Sequence, residues 1–158
     1  MTLFAIWAAE KLRGQQGHAG KALVFTHTSP HRPGPQYGKN IVLLLRRPTS
    51  NTADLVAAAV RGIRQIYRPG YELINAGVML LDLQPASRRQ HGLALDDKAQ
   101  DTGRLMTALD RINDRYGRGT LAMASAGTVK TQRDWGMKRE RRASQYTTCW
   151  EEVPVVRA

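Results

Sequence analysis

Apolar residues in the first half of the chain change their spacing several times, and each change marks a different structural element. Apolar residues three or four positions apart are typical of a helix, whereas a short run of β-branched and aromatic residues favours a strand. Proline and glycine separate these segments. The pattern predicts, in chain order, a helix over residues 2–14, a strand over 21–28, a proline-rich loop over 29–38, a strand over 40–45, a helix over 52–68 and a strand over 72–83.

The sequence defines the second of these helices most clearly. Asn51 can accept a hydrogen bond as its N-cap, and Asp54 places a carboxylate in the first turn, where the helix dipole favours it. Gly70 lies just beyond its end. The apolar stripes expected to face a core are Leu55, Ala59, Ile63 and Ile66 in this helix, and Leu3, Ile6, Trp7 and Leu12 in the first helix.

The regular spacing is lost after residue 83. Residues 84–101 gain proline, glycine, serine and charge, which predicts a linker. A helix follows over residues 102–116 with Gly117 as its stop, and residues 120–125 are a short strand candidate. The predicted domains are therefore residues 1–83, a linker at 84–101, and a small, mostly irregular module with one helix at 102–158.

The charge of the chain points to a polyanionic partner. The sequence has 24 Lys and Arg against 13 Asp and Glu, which gives a net charge of +11. The charge is +6 over residues 1–83, zero over the linker and +5 over 102–158, so both modules are basic. The arginines of the second helix form one face, for which phosphate contact and simple solvation both remain open: Arg61, Arg64 and Arg68.

Several kinds of site are not predicted. His27 and His31 are four residues apart, but Pro30 lies between them in a loop, so they do not share a helix face as metal ligands. Cys149 is the only cysteine and has no adjacent histidine, so it predicts neither a disulfide nor a nucleophile and fits a reducing cytoplasm. No apolar stretch reaches the ~18 residues of a membrane span. We therefore predict no metal, no catalytic residue and no membrane partner.

A series of short strings runs in a fixed order along the chain: Ala8–Arg13, Thr28–Pro30, Tyr37–Gly38, Ala76–Leu80, Leu105–Met106, Leu109–Asp110, Gly117–Leu121, Met137–Arg139 and Tyr146–Thr148. These strings and the order of the elements resemble UmuC-like polymerases, which are Y-family DNA polymerases. The resemblance implies an α+β fold. Residues 1–83 would be a little finger, an antiparallel sheet with two helices that holds DNA, here with its first strand missing. Residues 102–158 would be the UmuC-type C-terminal domain.

The function implied is that of a DNA-binding and clamp-tethering C-terminal fragment of an error-prone translesion polymerase, acting in SOS mutagenesis and DNA repair. The resemblance places the catalytic palm N-terminal to these residues. No cofactor is therefore expected on this chain, because the Mg²⁺ of the family belongs to the palm, and the chain alone should be inactive.

A little finger implies contact with phosphates rather than base readout. Hydroxyls and cations on the first strand, in the proline-rich loop and at the ends of the second strand could supply this contact. Thr26 and Thr28 share one side of the first strand, whereas Phe25 and His27 share the other. The predicted DNA-binding residues are Thr26, Thr28, Ser29, Arg32, Lys39, Arg46 and Arg47.

The linker contains a second candidate site. Gln90, Leu93 and Leu95 fit the pattern Gln-x-x-Leu-x-Leu, which resembles the peptide that docks bacterial proteins on the sliding clamp. Two leucines could enter an apolar groove while the glutamine fixes the register by hydrogen bonds. An inert linker is the alternative to clamp docking.

The basic tail leaves several partners open. Residues 138–142, near Trp135 and Tyr146, could bind single-stranded DNA, a UmuD-like accessory subunit or a recombinase filament, or could be a solvated run. An RNA- or ribosome-associated protein is the alternative function. The sequence has no string such as Lys-Gly-Phe-Gly-Phe, which such a protein would use for stacking on RNA.

Overall fold

The computed structural model of the protein describes residues 1–88, 102–117 and 119–124. All of these residues belong to one compact unit. The mixture of helices and antiparallel strands confirms the predicted α+β fold. The elements are α1 (Thr2–Gly14), β1 (Gly17–Thr28), β2 (Gly38–Thr49), α2 (Thr52–Ile66), β3 (Leu73–Pro85) and α3 (Thr102–Tyr116).

The three strands form one sheet in the order β2-β1-β3, with β1 antiparallel to both neighbours. Val24 at the middle of β1 pairs with Ile41 of β2 and Val78 of β3. Burial alternates along β1 because successive side chains point to opposite faces. One face is covered by α1 and α2. No described helix covers the other, on which Val42, Leu44 and Met79 are exposed, and we call it the open face.

The core lies between the covered face and the two helices. Val24, Leu43, Val56 and Ile66 form its centre, and a second cluster around Leu55 extends it. Within α1 the buried residues are Ala5, Ala9 and Leu12, whereas Trp7 of the predicted stripe is partly exposed. Residues 3–9 are all apolar, so their spacing could not define a single face. Alanine is buried here because a small side chain allows close approach of the backbones.

The strands are longer than predicted because backbone pairing continues past the apolar runs. β1 begins at Gly17 rather than Lys21, and β2 extends to Thr49. The helix α2 begins as predicted, with the Asn51 side chain accepting from the Ala53 amide at 2.9 Å. It ends at Ile66, two residues early, because Pro69 disfavours a helical conformation at the residue before it.

The helix predicted over 102–116 is present as α3. The strand predicted at 120–125 is wrong for the residues described there, 120–124, none of which is in a strand. The Asn113 side chain bonds both the amide and the carbonyl of Leu121, at 2.9 and 3.0 Å, so neither group is free to pair with a strand. No helix within the described ranges is both long and apolar enough to cross a bilayer.

Candidate nucleic-acid interface

The open face of the sheet has an apolar centre. Residues that pair directly across strands share a face, so Leu23 of β1 lies between Val42 of β2 and Met79 of β3. Lys21 lies between Leu44 and Leu81 in the next row. Only Lys21 brings a charge to these two rows, so the centre of the open face offers little to a phosphate.

Thr26 and Thr28 lie on the covered face, not on the open one. Thr26 is 1% exposed, and its hydroxyl donates to the Asn75 carbonyl at 3.1 Å. The Thr28 hydroxyl is also buried and donates to Gln36 Oε1 at 2.7 Å while accepting from the Tyr37 amide at 3.0 Å. Both hydroxyls hold neighbouring segments of the protein, so we leave these two residues out of the phosphate-contact set proposed below.

The β1–β2 loop, residues 29–37, presents the next two candidates at the surface. The Ser29 hydroxyl accepts from the His31 amide at 3.3 Å, which fixes the first turn of the loop. Arg32 is exposed, and its guanidinium lies 3.7 Å from the carboxylate of Glu72, which is more exposed still. An exposed ion pair at this N–O distance contributes little free energy to the fold. The Arg32 guanidinium can therefore leave Glu72 and bind a phosphate instead.

Aromatic contacts anchor this loop on the segment that follows α2. The Tyr37 ring lies 4.8 Å from the Tyr71 ring, centroid to centroid, and the Arg68 guanidinium lies 5.9 Å from the Tyr37 centroid. The Tyr37 hydroxyl donates to the Ile66 carbonyl at the end of α2. Because of these contacts, the loop that carries Arg32 has a fixed base.

The other three candidates lie on β2, which has a neighbour on one side only in the described sheet. Lys39 is exposed at its start. Near its end β2 has four residues, 45–48, where β1 has only Gly20. The pairs on either side of this irregularity are Lys21 with Leu44 and Ala19 with Thr49. Such an irregularity bends a strand away from its ladder. We call residues 45–48 the β2 protrusion; Arg46 and Arg47 are exposed on it.

The turn that follows the β2 protrusion, residues 49–52, is held by a side chain that received no role from the sequence. We call residues 49–52 the β2–α2 turn. Arg13, at the end of α1, donates to the Ser50 carbonyl at 3.0 Å and to the Thr52 hydroxyl at 2.8 Å. The same guanidinium donates to both carboxylate oxygens of Asp110 in α3, at 2.6 and 2.7 Å. No local pattern could indicate this contact, because 97 residues separate Arg13 from Asp110.

The structure therefore divides the predicted site residues into three groups. Five of them lie at the surface or close to it, in the β1–β2 loop and along β2: Ser29, Arg32, Lys39, Arg46 and Arg47. Thr26 and Thr28 are buried. The clamp-binding candidates Gln90, Leu93 and Leu95, and the basic tail, lie outside the described residues. Among the described residues, no cluster of three or more His, Cys, Asp or Glu could hold a metal ion.

Comparison with known proteins gives two family matches. Residues 2–93 match the profile of the impB/mucB/samB family C-terminal domain, and residues 103–156 match a domain of unknown function, DUF4113. The first match therefore covers the sheet and its two helices, and the second begins within α3.

Individual relatives agree with these matches. ImpB of Salmonella typhimurium is 36% identical over 156 residues, which are 98% of this chain and 36% of that protein. UmuC of Salmonella typhimurium strain LT2 is 37% identical over 153 residues, and SamB of Salmonella typhimurium is 38% identical over 154. The UmuC and SamB alignments each cover 95% of this chain and 35% of the relative. The chain therefore spans little more than a third of the length of these three relatives.

The family resemblance that the short strings suggested is confirmed. The first profile covers more than half of the chain, and the relatives align with nearly all of it. The chain belongs to the impB/mucB/samB family, as the C-terminal region of a UmuC-like polymerase of the Y family.

Proposed function

We propose that this chain is the DNA-holding, clamp-tethered C-terminal part of an error-prone translesion DNA polymerase that acts in the cytoplasm during SOS mutagenesis and DNA repair. The observation that carries the DNA-holding role is a set of exposed cations in the β1–β2 loop and along β2. This set consists of Arg32 in the β1–β2 loop, Lys39 at the start of β2, and Arg46 and Arg47 on the β2 protrusion.

The spacing of these cations suits a duplex backbone. The regular part of β2 from Lys39 to Leu44 spans about 17 Å, so Lys39 and the arginines of the β2 protrusion are separated by on the order of half a turn of B-DNA. The outer edge of β2 adds backbone N–H groups, which can donate to phosphate oxygens as neutral partners. Ser29 could add a hydroxyl at the loop end.

This arrangement favours contact with the phosphate backbone over base readout. Phosphate contacts position a protein on DNA and carry no sequence information directly. The part of a polymerase that holds DNA must bind any sequence, because the bases beneath it change as the enzyme moves along the template. The family membership favours this role over the RNA- or ribosome-associated alternative.

A salt titration tests the DNA-holding role. We expect the chain to bind a short primer–template duplex irrespective of its sequence, with affinity falling steeply between about 50 and 200 mM salt. The double variant Arg46→Ala/Arg47→Ala should bind more weakly and should make the log–log salt dependence shallower by about 1.8, because each lost phosphate contact removes about 0.9 from the slope.

The matched control is Lys11→Ala/Arg111→Ala, which removes two exposed cations from α1 and α3. This control should keep the slope of the wild-type chain. Equal slopes for the two double variants would contradict the placement of DNA along β2. An RNA duplex that binds more tightly than DNA at every salt concentration would favour the alternative function.

We propose further that Gln90, Leu93 and Leu95 dock the chain on the sliding clamp. These residues lie where the first family match ends, at residue 93, and before the second begins at residue 103. Gln90→Ala/Leu93→Ala should abolish binding to a bacterial sliding clamp in a pull-down or calorimetric titration and leave DNA affinity unchanged. The control Gln100→Ala should bind the clamp normally. Undiminished clamp binding by the double variant would reject the motif.

A further inference from the structure

Arg13 uses all three nitrogens of its guanidinium in hydrogen bonds to three other residues. Its Nε and Nη2 atoms donate to the two oxygens of Asp110, and its Nη1 atom donates to the Ser50 carbonyl and the Thr52 hydroxyl. Bidentate pairs of this kind fix orientation as well as distance. One side chain of α1 thus connects α3 with the β2–α2 turn.

Shielding from solvent makes this pair a stronger contact than the ion pair between Arg32 and Glu72. The Arg13 side chain is 11% exposed and that of Asp110 is 23% exposed. Arg32 and Glu72, by contrast, are exposed and 3.7 Å apart. Removing one partner of a shielded pair leaves the other charge short of compensation, whereas an exposed pair is replaced by water. The stability of this region therefore depends on Asp110 being in place.

Asp110 does not stand alone on α3. Met106 lies one helical turn earlier and is buried to 4% exposure. Residues four apart on a helix share a face, so a buried apolar side chain and an ion pair lie on the same side of α3. Leu105 and Arg111, by contrast, are exposed. The face with Met106 and Asp110 is therefore a docking face.

Through Arg13, α3 is connected to the turn that follows the β2 protrusion, which carries the exposed arginines. Ser50, whose carbonyl Arg13 holds, follows Arg47 by three residues. Within the same turn the Asn51 amide donates to the Thr49 hydroxyl at 3.1 Å. The end of the β2 protrusion is thus fixed to a rigid turn, and that turn is fixed to Arg13.

We propose that α3 is a brace that holds the β2–α2 turn through Asp110 and Arg13 and thereby positions Arg46 and Arg47 on the β2 protrusion. The proposal gives a positioning role to part of the segment that matches a domain of unknown function. Its partner is chemically specific, because the guanidinium fork of Arg13 takes a carboxylate. The positioning of the arginines for DNA rests on the proposed function; the brace itself does not.

Hydrogen exchange of the full-length chain tests the brace. Asp110→Asn keeps the shape of the side chain and removes its charge, so we expect amides of α3 and of residues 49–56 to exchange at least about tenfold faster, as for the loss of one hydrogen bond to a charged group. Amides in the middle of β1 should be unaffected. Asp114→Asn, one turn further along α3 and exposed, is the matched control and should exchange like the wild type.

A second variant guards against a general loss of folding. Arg13→Lys retains the charge but cannot make the four contacts of the guanidinium. It should accelerate exchange in the same two segments, and combining it with Asp110→Asn should add much less than the sum of the single effects. Additive effects, or wild-type exchange of α3 in Asp110→Asn, would overturn the brace.

Measuring duplex affinity distinguishes two claims: that α3 holds the β2–α2 turn, and that this turn positions Arg46 and Arg47 for DNA. We expect Asp110→Asn to lower DNA affinity about threefold, because the β2–α2 turn and the β2 protrusion before it would have to be ordered on binding. Faster exchange with unchanged DNA affinity would overturn the positioning of Arg46 and Arg47 and leave the brace intact. Failure of the wild-type chain to bind any duplex would overturn the proposed function, and the exchange results would still decide the brace.

Discussion

The covered and open faces of the sheet are built from the same strands, yet among the described residues only the covered face forms a core. Leu43 and Leu44 are neighbours on β2, and Leu43 is 9% exposed whereas Leu44 is 72% exposed. The covered face is packed against α1 and α2. When both faces of a sheet are apolar, the apolar character of a strand residue does not tell which of the two faces will be buried.

The strongest test of this comparison replaces each of the two leucines in turn. Leu43→Ala should lower the free energy of unfolding by about 2 to 4 kcal/mol, because it leaves a cavity in the core. Leu44→Ala should change it by less than about 0.5 kcal/mol, since the side chain is already in water. Chemical denaturation of the full-length chain measures both values. A large loss for Leu44→Ala would mean that the open face is covered in solution.

A smaller effect is expected where α2 meets the covered face. A β-carbon at Gly62 would lie 2.6 Å from Leu43 Cδ1 and 2.8 Å from Val24 Cγ2. Gly62→Ala should therefore cost about 1 to 3 kcal/mol through overpacking, which outweighs the gain of about 1 kcal/mol that alanine brings to a helix interior.

Gly14→Ala is the matched control for that substitution. A β-carbon at Gly14, the last residue of α1, would meet no atom within 4 Å. The free energy of unfolding should stay the same or rise slightly in this variant. If Gly62→Ala proved as harmless as Gly14→Ala, the close packing of α2 on β1 and β2 would be wrong.

Residues with local roles could be assigned from the sequence. Asn51 caps α2 as predicted, because a cap depends on the two or three residues that follow it. The alternation of Thr26 and Thr28 with Phe25 and His27 was also correct, but the sequence could not tell which row the helices cover. The two threonines that looked able to donate to phosphates are the buried ones.

The contacts of Arg13 could not be predicted from its sequence neighbours, because its partners lie far away in the chain. The residue lies in a string that carried the family resemblance, and the string gave it no partner. Asp110, 97 residues away, meets it only because α3 returns to the end of α1. The β2 protrusion is a similar case: the sequence placed Arg46 and Arg47 at a strand end, and only the pairing of β2 with β1 shows that the strand bends there.

The sequence by itself determined the class of the fold, the order of the elements up to α3, the basic character of residues 1–83 and 102–158, and the family. These properties depend on residue spacing, composition and short strings, all of which are local. The tertiary structure decided which sheet face is covered, where β2 leaves its ladder, and that α3 holds the β2–α2 turn. These depend on which distant surfaces pack together, and that choice is made by complementary shape and charge across the fold rather than by the order of neighbouring residues.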